Sequence, residues 1–242
     1  MEQCRADVGF LIDQSTSLLS EGWQATKDFV LSISKSLGIA ENRAHVALTT
    51  FHRDASLRIK FSDHKNYTSF EKAINRLSDK LEPSTNTFAG FEVALNEMFT
   101  ELNGMRRNAP HTLLYMTDGK CYPIQGWYPN GTVILPPGSC LESGFKDWNE
   151  RYNEKKIKRY GIGIGQGINV QEIEWFVGDN VFSKNSMGDI LTPQFRRNLS
   201  VCDGNSFIST YNNKLNIFIT QHKNINHSLY FDHKTLSYFV SS

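Results

Sequence analysis

The chain has 242 residues, 26 Lys and Arg against 25 Asp and Glu, a formal net charge of +1 and 39% hydrophobic residues. That length suits one α/β domain with an appendage. The even charge balance offers no concentrated basic face for nucleic acid, and no apolar run approaches the ~20 residues that span a bilayer, so membrane insertion is not expected. The opening Met1-Glu2-Gln3-Cys4-Arg5 lacks the apolar core of a signal peptide. The chain therefore reads as a fragment, or as one whose true start is missing.

Residues 8–12, Val-Gly-Phe-Leu-Ile, have the content of a buried strand, with turn chemistry immediately behind them. A helix over 21–37 follows, with Ser20 as its cap, Val30, Ile33 and Leu37 at helical spacing, and Gly38 as its stop. Residues 43–51 and 56–61 alternate as strands and pair as a hairpin around His52-Arg53-Asp54. Helices are expected over 69–77, with Phe70, Ile74 and Leu77 inward, and over 88–102, with Phe91, Ala94, Leu95, Met98 and Leu102 on one side. Apolar runs at 112–117 and 157–163 bracket a helix at 145–155. A helix at 170–176, a strand at 180–183 and a helix near 192–199 complete the series. Strands alternating with helices specify a doubly wound α/β fold, whose mostly parallel sheet carries helices on both faces and one antiparallel edge strand.

Asp13, Ser15 and Ser17 sit where the first strand gives way to a loop. They offer only oxygen, at alternate positions that converge when the chain curls, and hard oxygen donors suit magnesium, manganese or calcium. Ser84-Thr85-Asn86-Thr87 precedes a helical pattern, and Asp118-Gly119 follows another apolar run. In a doubly wound fold ligands bind outside the carboxyl ends of the strands, where Asp13 and Asp118 both fall. The competing reading is that these residues only cap helices, since Ser, Thr and Asp are favoured caps.

Together the three pieces resemble the metal-ion-dependent adhesion site of the von Willebrand factor A domain, the module also found inserted in integrins. The family pattern of D-x-S-x-S, a later threonine, and an aspartate followed by glycine is present in order as Asp13/Ser15/Ser17, Thr85 and Asp118-Gly119. The resemblance covers a domain at 5–203 and leaves a tail at 204–242. It implies that Ser15, Ser17 and Thr85 coordinate a cation directly, Mg2+ first with Mn2+ or Ca2+ as substitutes, while Asp13 and Asp118 act at its edge through water. It also implies an adhesion module in which a Glu or Asp of an extracellular matrix or cell-surface protein completes the coordination. The protein would then be secreted or extracellular and not an enzyme.

Two rival classes follow from the same residues. A magnesium-dependent phosphoryl-transfer enzyme would want an acid two residues after Asp13, where this chain has Ser15, and no G-x-x-x-x-G-K-[ST] loop is present. An intracellular scaffold module of the same fold would keep its cysteines reduced. His45, His52, His64 and His111 are scattered without a nucleophile context, so no catalytic triad can be argued. The glycine-rich 161–167 fails the spacing of G-x-G-x-x-G and reads as a strand end and tight turn.

Cys4, Cys121, Cys140 and Cys202 lack zinc-type spacing, and the even count fits two disulfides. Of the three pairings, Cys4 with Cys202 is favoured because these residues bracket the domain, whose ends often lie close; Cys121 with Cys140 remains. The loop from Gly119 to Gly144 leaves the carboxyl end of the Asp118 strand, so it borders the metal face. Its Tyr122, Trp127 and Tyr128 either contact the partner, as large amphipathic side chains do, or fold back over the loop's own underside. Sequons begin at Asn66, Asn130, Asn198 and Asn226. The tail, rich in Asn, Ser, Lys, His and Phe, is expected to be poorly ordered, with hairpin-like pieces such as 229–231.

Overall fold

The computed structural model describes residues 5–119, 145–165, 168–177, 229–231 and 238–240. Strand β1, Ala6–Asp13, is buried along its whole length. A central parallel strand is covered on both faces, which is why its sequence shows no polar alternation. On one side it pairs in parallel with β2, Ala44–Phe51, and β2 pairs antiparallel with β3, Ala55–Ile59. On the other side β1 pairs in parallel with β4, His111–Thr117, and β4 with β5, Ile157–Gly163. The order among the described residues is β3-β2-β1-β4-β5, a mostly parallel sheet with the expected antiparallel strand at its edge.

Each face has its own core, because side chains alternate along the strands. Val8, Phe10 and Ile12 pack with Phe29, Val30 and Ile33 of α1, Leu19–Leu37, and with Phe70 and Ile74 of α2, Tyr67–Asn75. On the opposite face Leu11, Leu113 and Tyr115 pack with Phe91 of α3, Thr87–Val93. Tyr152 of α4, Phe145–Glu154, and Phe176 of α5, Val170–Val177, complete that layer. Gly38 ends α1 with a left-handed φ of 68°, as the sequence suggests.

Three expectations are corrected. Ser20 lies inside α1 and does not cap it, because a 3-10 turn at Thr16–Leu18 starts the helix at Leu19. The second helix begins at Tyr67, where the Asn66 side chain accepts from the Ser69 N–H at 2.9 Å. The helix expected over 88–102 ends early: after α3 a π turn at Ala94–Met98 has Phe99 N donating to Ala94 O at 2.9 Å. The wider turn shifts the helical register, so Phe99 is buried and Leu102, expected inward, is 91% exposed.

The glycine-rich segment is a strand end and a turn. Gly161 and Gly163 of β5 leave room for Ile173 and Ile168, and Gly165 turns the chain with φ +96°. In the tail, β6, Leu229–Phe231, pairs antiparallel with β7, Tyr238–Val240. The elements expected at 180–183 and 192–199, the four cysteines, and Tyr122, Trp127 and Tyr128 lie outside the described residues. Among the described residues no helix is long and apolar enough to cross a membrane.

Candidate metal centre

Following β1 the chain crosses to β2 on one side, while β4 lies on the other, so the strand order reverses between β1 and β4. At such a switch point the loops leaving the two strands diverge and open a crevice at their carboxyl ends. Asp13 is the last residue of β1 and Asp118 follows the last residue of β4; both side chains are fully buried.

The loop after β1 curls back on its own aspartate. Asp13 Oδ1 accepts from the Ser15 N–H at 2.8 Å, and the Ser15 and Ser17 hydroxyls lie 2.9 Å apart. The three oxygen-bearing residues at alternate positions are thus gathered on one side of the turn. Asp13 Oδ2 accepts from the Thr117 hydroxyl at 2.8 Å, and that hydroxyl oxygen accepts from Gly119 N at 3.1 Å. The ends of β1 and β4 are tied together through one threonine. Gly119 has φ +73°, and a Cβ there would stand 2.3 Å from the Asn169 carbonyl oxygen, which explains a glycine directly after Asp118.

The third piece reaches the same edge through backbone. Thr16 N donates to Glu82 O at 3.0 Å and Glu82 N to Gln14 O at 3.1 Å, so the segment leading to Thr85 lies alongside the Ser15 loop. Thr85 is 3% exposed. Two residues on, the Thr87 hydroxyl lies 3.3 Å from the Tyr115 hydroxyl, fixing the start of α3 against β4.

The helix-capping reading does not account for these hydroxyls. The cap of α3 is Asn86, whose side chain accepts from Ala89 N at 3.1 Å, and neither the 3-10 turn nor α1 has a side-chain cap. Thr85, Ser15 and Ser17 are therefore not spent on helix ends.

Burial is the main cause that pushes the Asp13 carboxyl up to about 7; the hydrogen bonds from Ser15 and Thr117 oppose the shift, and the nearby charge of Asp118 adds to it. A carboxylate buried beside another of the same sign gains most from a positive charge, whether a proton or a cation. Among the described residues no group of three or more His, Cys, Asp and Glu is assembled. The donors at the crevice are two carboxylates and hydroxyls, a hard oxygen set that fits magnesium, manganese or calcium.

All five residues expected from the sequence, Asp13, Ser15, Ser17, Thr85 and Asp118, fall on this carboxyl edge. Thr117 and Asn86 were not anticipated. Thr117 was legible in principle, since parallel pairing of Ile12 with Met116 puts Asp13 and Thr117 side by side at the ends of adjacent strands. Asn86 was hidden by the neighbouring Thr85 and Thr87, either of which is an acceptable cap by composition.

The chain is similar in sequence or in fold to several known proteins. Matrilin-2 of Mus musculus is 30% identical over 122 residues, 49% of this chain and 13% of the relative. Integrin alpha-M of Mus musculus is 25% identical over 167 residues, 69% of this chain and 13% of the relative. The chain thus spans a small part of the relatives it matches. Among solved structures, proximal thread matrix protein 1 from the mussel byssus, with a zinc-occupied MIDAS motif, superposes with a TM-score of 0.60 at 20% identity. That superposition covers 81% of this chain and 48% of the mussel protein, and at that identity it speaks for the fold alone. The sequence profile of the von Willebrand factor type A domain matches residues 7–194, from within β1 to beyond α5. With the sheet order and the carboxyl-edge residues already in place, that match makes the chain a member of the von Willebrand factor type A domain family.

Proposed function

We propose that the chain is a divalent-cation-dependent adhesion module, in which Ser15, Ser17 and Thr85 hold the cation, Mg2+ by preference, and Asp13 and Asp118 stand at its edge. The observation that carries this is the pair of fully buried carboxylates at the switch point beside hydroxyls that no helix end uses. A bound cation would supply positive charge there and a coordination position for an outside oxygen. Neutral hydroxyls quench that charge only in part, so the incoming ligand is a carboxylate, Glu or Asp, of an extracellular matrix or cell-surface protein. Neutralisation in a partly dry contact is worth more than an exposed ion pair.

The matrilin and integrin relatives support the partner class and an extracellular setting. The same relatives favour a binding module over the phosphoryl-transfer enzyme or the intracellular scaffold. Selectivity among partners would come from the loop after Gly119 through Tyr122, Trp127 and Tyr128, with Cys121–Cys140 pinning that loop and Cys4–Cys202 closing the domain. Binding to matrix proteins should be present in magnesium, absent in chelator, and absent for Asp118→Ala in either. Equal binding in chelator and magnesium excludes the mechanism. Trp127→Ala and Tyr128→Ala should weaken partner binding while cation affinity stays unchanged.

A further inference from the structure

We propose that Gln14, the residue between Asp13 and Ser15, is a positioning residue that latches the Thr85 loop onto the Ser15–Ser17 loop. This rests on the metal-site reading above. The two loops come from parts of the chain about 70 residues apart by the numbering, and the described ligand residues do not bond across from one to the other. Something else must hold them in register.

Gln14 has three polar groups hydrogen-bonded, and two of them, the carbonyl and the side-chain amide nitrogen, hold the Thr85 loop. Its backbone N–H donates to Phe51 O at 2.8 Å, fixing it to the end of β2, and its carbonyl accepts from Glu82 N at 3.1 Å. Its side-chain amide, on a residue only 5% exposed, donates to Ser78 O at 2.9 Å and Lys80 O at 3.0 Å. One side chain thus straps down two carbonyls of the opposite loop, and the Gln14–Glu82–Thr16 backbone exchange continues the seam toward Thr85. The far side of that loop is held separately, by Trp23 Nε1 donating to Asp79 Oδ1 at 3.1 Å, by Lys27 pairing with the same oxygen, and by the Asn86 amide donating to Arg53 O at 3.2 Å.

The chemistry of the amide decides which substitutions matter. The glutamine amide nitrogen carries two N–H donors, enough for both carbonyls without burying a charge; leucine matches the bulk and donates nothing. Ser78 and Lys80 are exposed, so water can take over their carbonyls when the amide is removed. Loss of the latch therefore loosens the loop without a large cost to the fold. Outer residues that orient metal ligands typically change metal affinity by about 10- to 100-fold when replaced.

The test is Mn2+ titration of the full chain followed by electron paramagnetic resonance, on wild type, Gln14→Leu, Thr85→Ala and the double variant, with amide exchange on metal-free protein. Gln14→Leu should raise the Mn2+ dissociation constant about 10-fold or more, with the Tm nearly unchanged and the Glu82 and Thr16 amides exchanging faster while those of β1 stay protected. In the double variant the Leu substitution should add no further loss to Thr85→Ala, because its effect runs through Thr85. Wild-type affinity in Gln14→Leu, or an additive loss in the double variant, overturns the latch and leaves the metal reading standing. If wild type itself binds no Mn2+, the metal reading fails instead. The exchange rates of Glu82 and Thr16 then decide the latch alone, and equal rates in wild type and Gln14→Leu refute it.

Discussion

Replacing Arg106 by alanine should destabilise the domain severely while leaving its cation affinity intact. Asp7, near the start of β1, is fully buried, and its carboxylate faces Arg106, whose side chain is 17% exposed. Arg106 Nε and Nη2 donate to Asp7 Oδ1 at 2.8 and 2.6 Å, and Arg106 N donates to Oδ2 at 2.7 Å. The same Nη2 also reaches the carbonyls of Ala6 at 2.9 Å and Arg43 at 2.8 Å, joining the starts of β1 and β2. Truncation leaves a buried carboxylate with one backbone donor and the His111 ring 4.0 Å away. Removing one partner of a buried pair costs about 3 to 5 kcal/mol, which for a domain of this size lowers Tm by roughly 6 to 20 °C. Scanning calorimetry and urea unfolding measure it. The double change Asp7→Leu with Arg106→Met should recover most of the loss, since no orphaned charge remains. Asp13 is six residues further along β1, roughly 20 Å away at the rise of a strand, so Mn2+ affinity should not move. A cost below about 1 kcal/mol for Arg106→Ala would place the pair in the weak class of surface bridges and refute the argument.

Metal-free protein should lose stability as pH rises from about 4 to 7. The Asp13 carboxyl goes from 3.8 to about 7 on burial, so the native state holds the proton that the unfolded chain releases. Its contribution is fully present below about pH 4 and is gone once pH exceeds about 7, a difference of order 4 kcal/mol. Asp13→Asn should flatten that slope, magnesium should offset it at pH 8, and a slope unchanged by the substitution would contradict the assignment. Gly119→Ala should cost about 1 to 3 kcal/mol in urea unfolding and weaken cation binding, because its Cβ would meet the Asn169 carbonyl and shift Asp118; wild-type values on both counts would show that the loop yields freely. Peptide mapping of protein made through a secretory route should find Cys4 joined to Cys202, and a link from Cys4 to Cys121 or Cys140 would overturn that pairing.

Much of the sheet was legible because buried parallel strands write themselves as continuous apolar runs. Val8 to Ile12 and Leu113 to Met116 needed no tertiary information. The hairpin at His52 to Asp54 followed from alternation on both sides of a polar turn. Leu102 was misplaced because helical periodicity was extended through a π turn, and nothing local in Ala94 to Met98 announces the extra residue in that turn. Helix starts failed for a related reason: Ser20, Asn66 and Asn86 compete with equally plausible neighbours, and the winner depends on how the incoming loop is tethered. At the candidate site Asp13, Ser15 and Ser17 were readable from their alternate spacing, and Thr85 and Asp118 from the resemblance to the family pattern. Thr117 and Gln14 were not, because their partners lie about 60 to 100 residues away by the numbering: strand register brings Thr117 to Asp13, and the path of the loop before Thr85 brings Ser78 and Lys80 to Gln14.

Whether the oxygens of the candidate site hold a divalent cation decides the proposed function. The most direct measurement is the stoichiometry and affinity of Mn2+ for the chain by electron paramagnetic resonance, repeated for Ser15→Ala and Asp118→Ala with folding checked by circular dichroism. The wild type should show one site, displaced by excess magnesium, and each variant at least a tenfold loss with the fold retained. Absence of a site in folded wild-type protein, or a site that survives both substitutions, would contradict the metal reading.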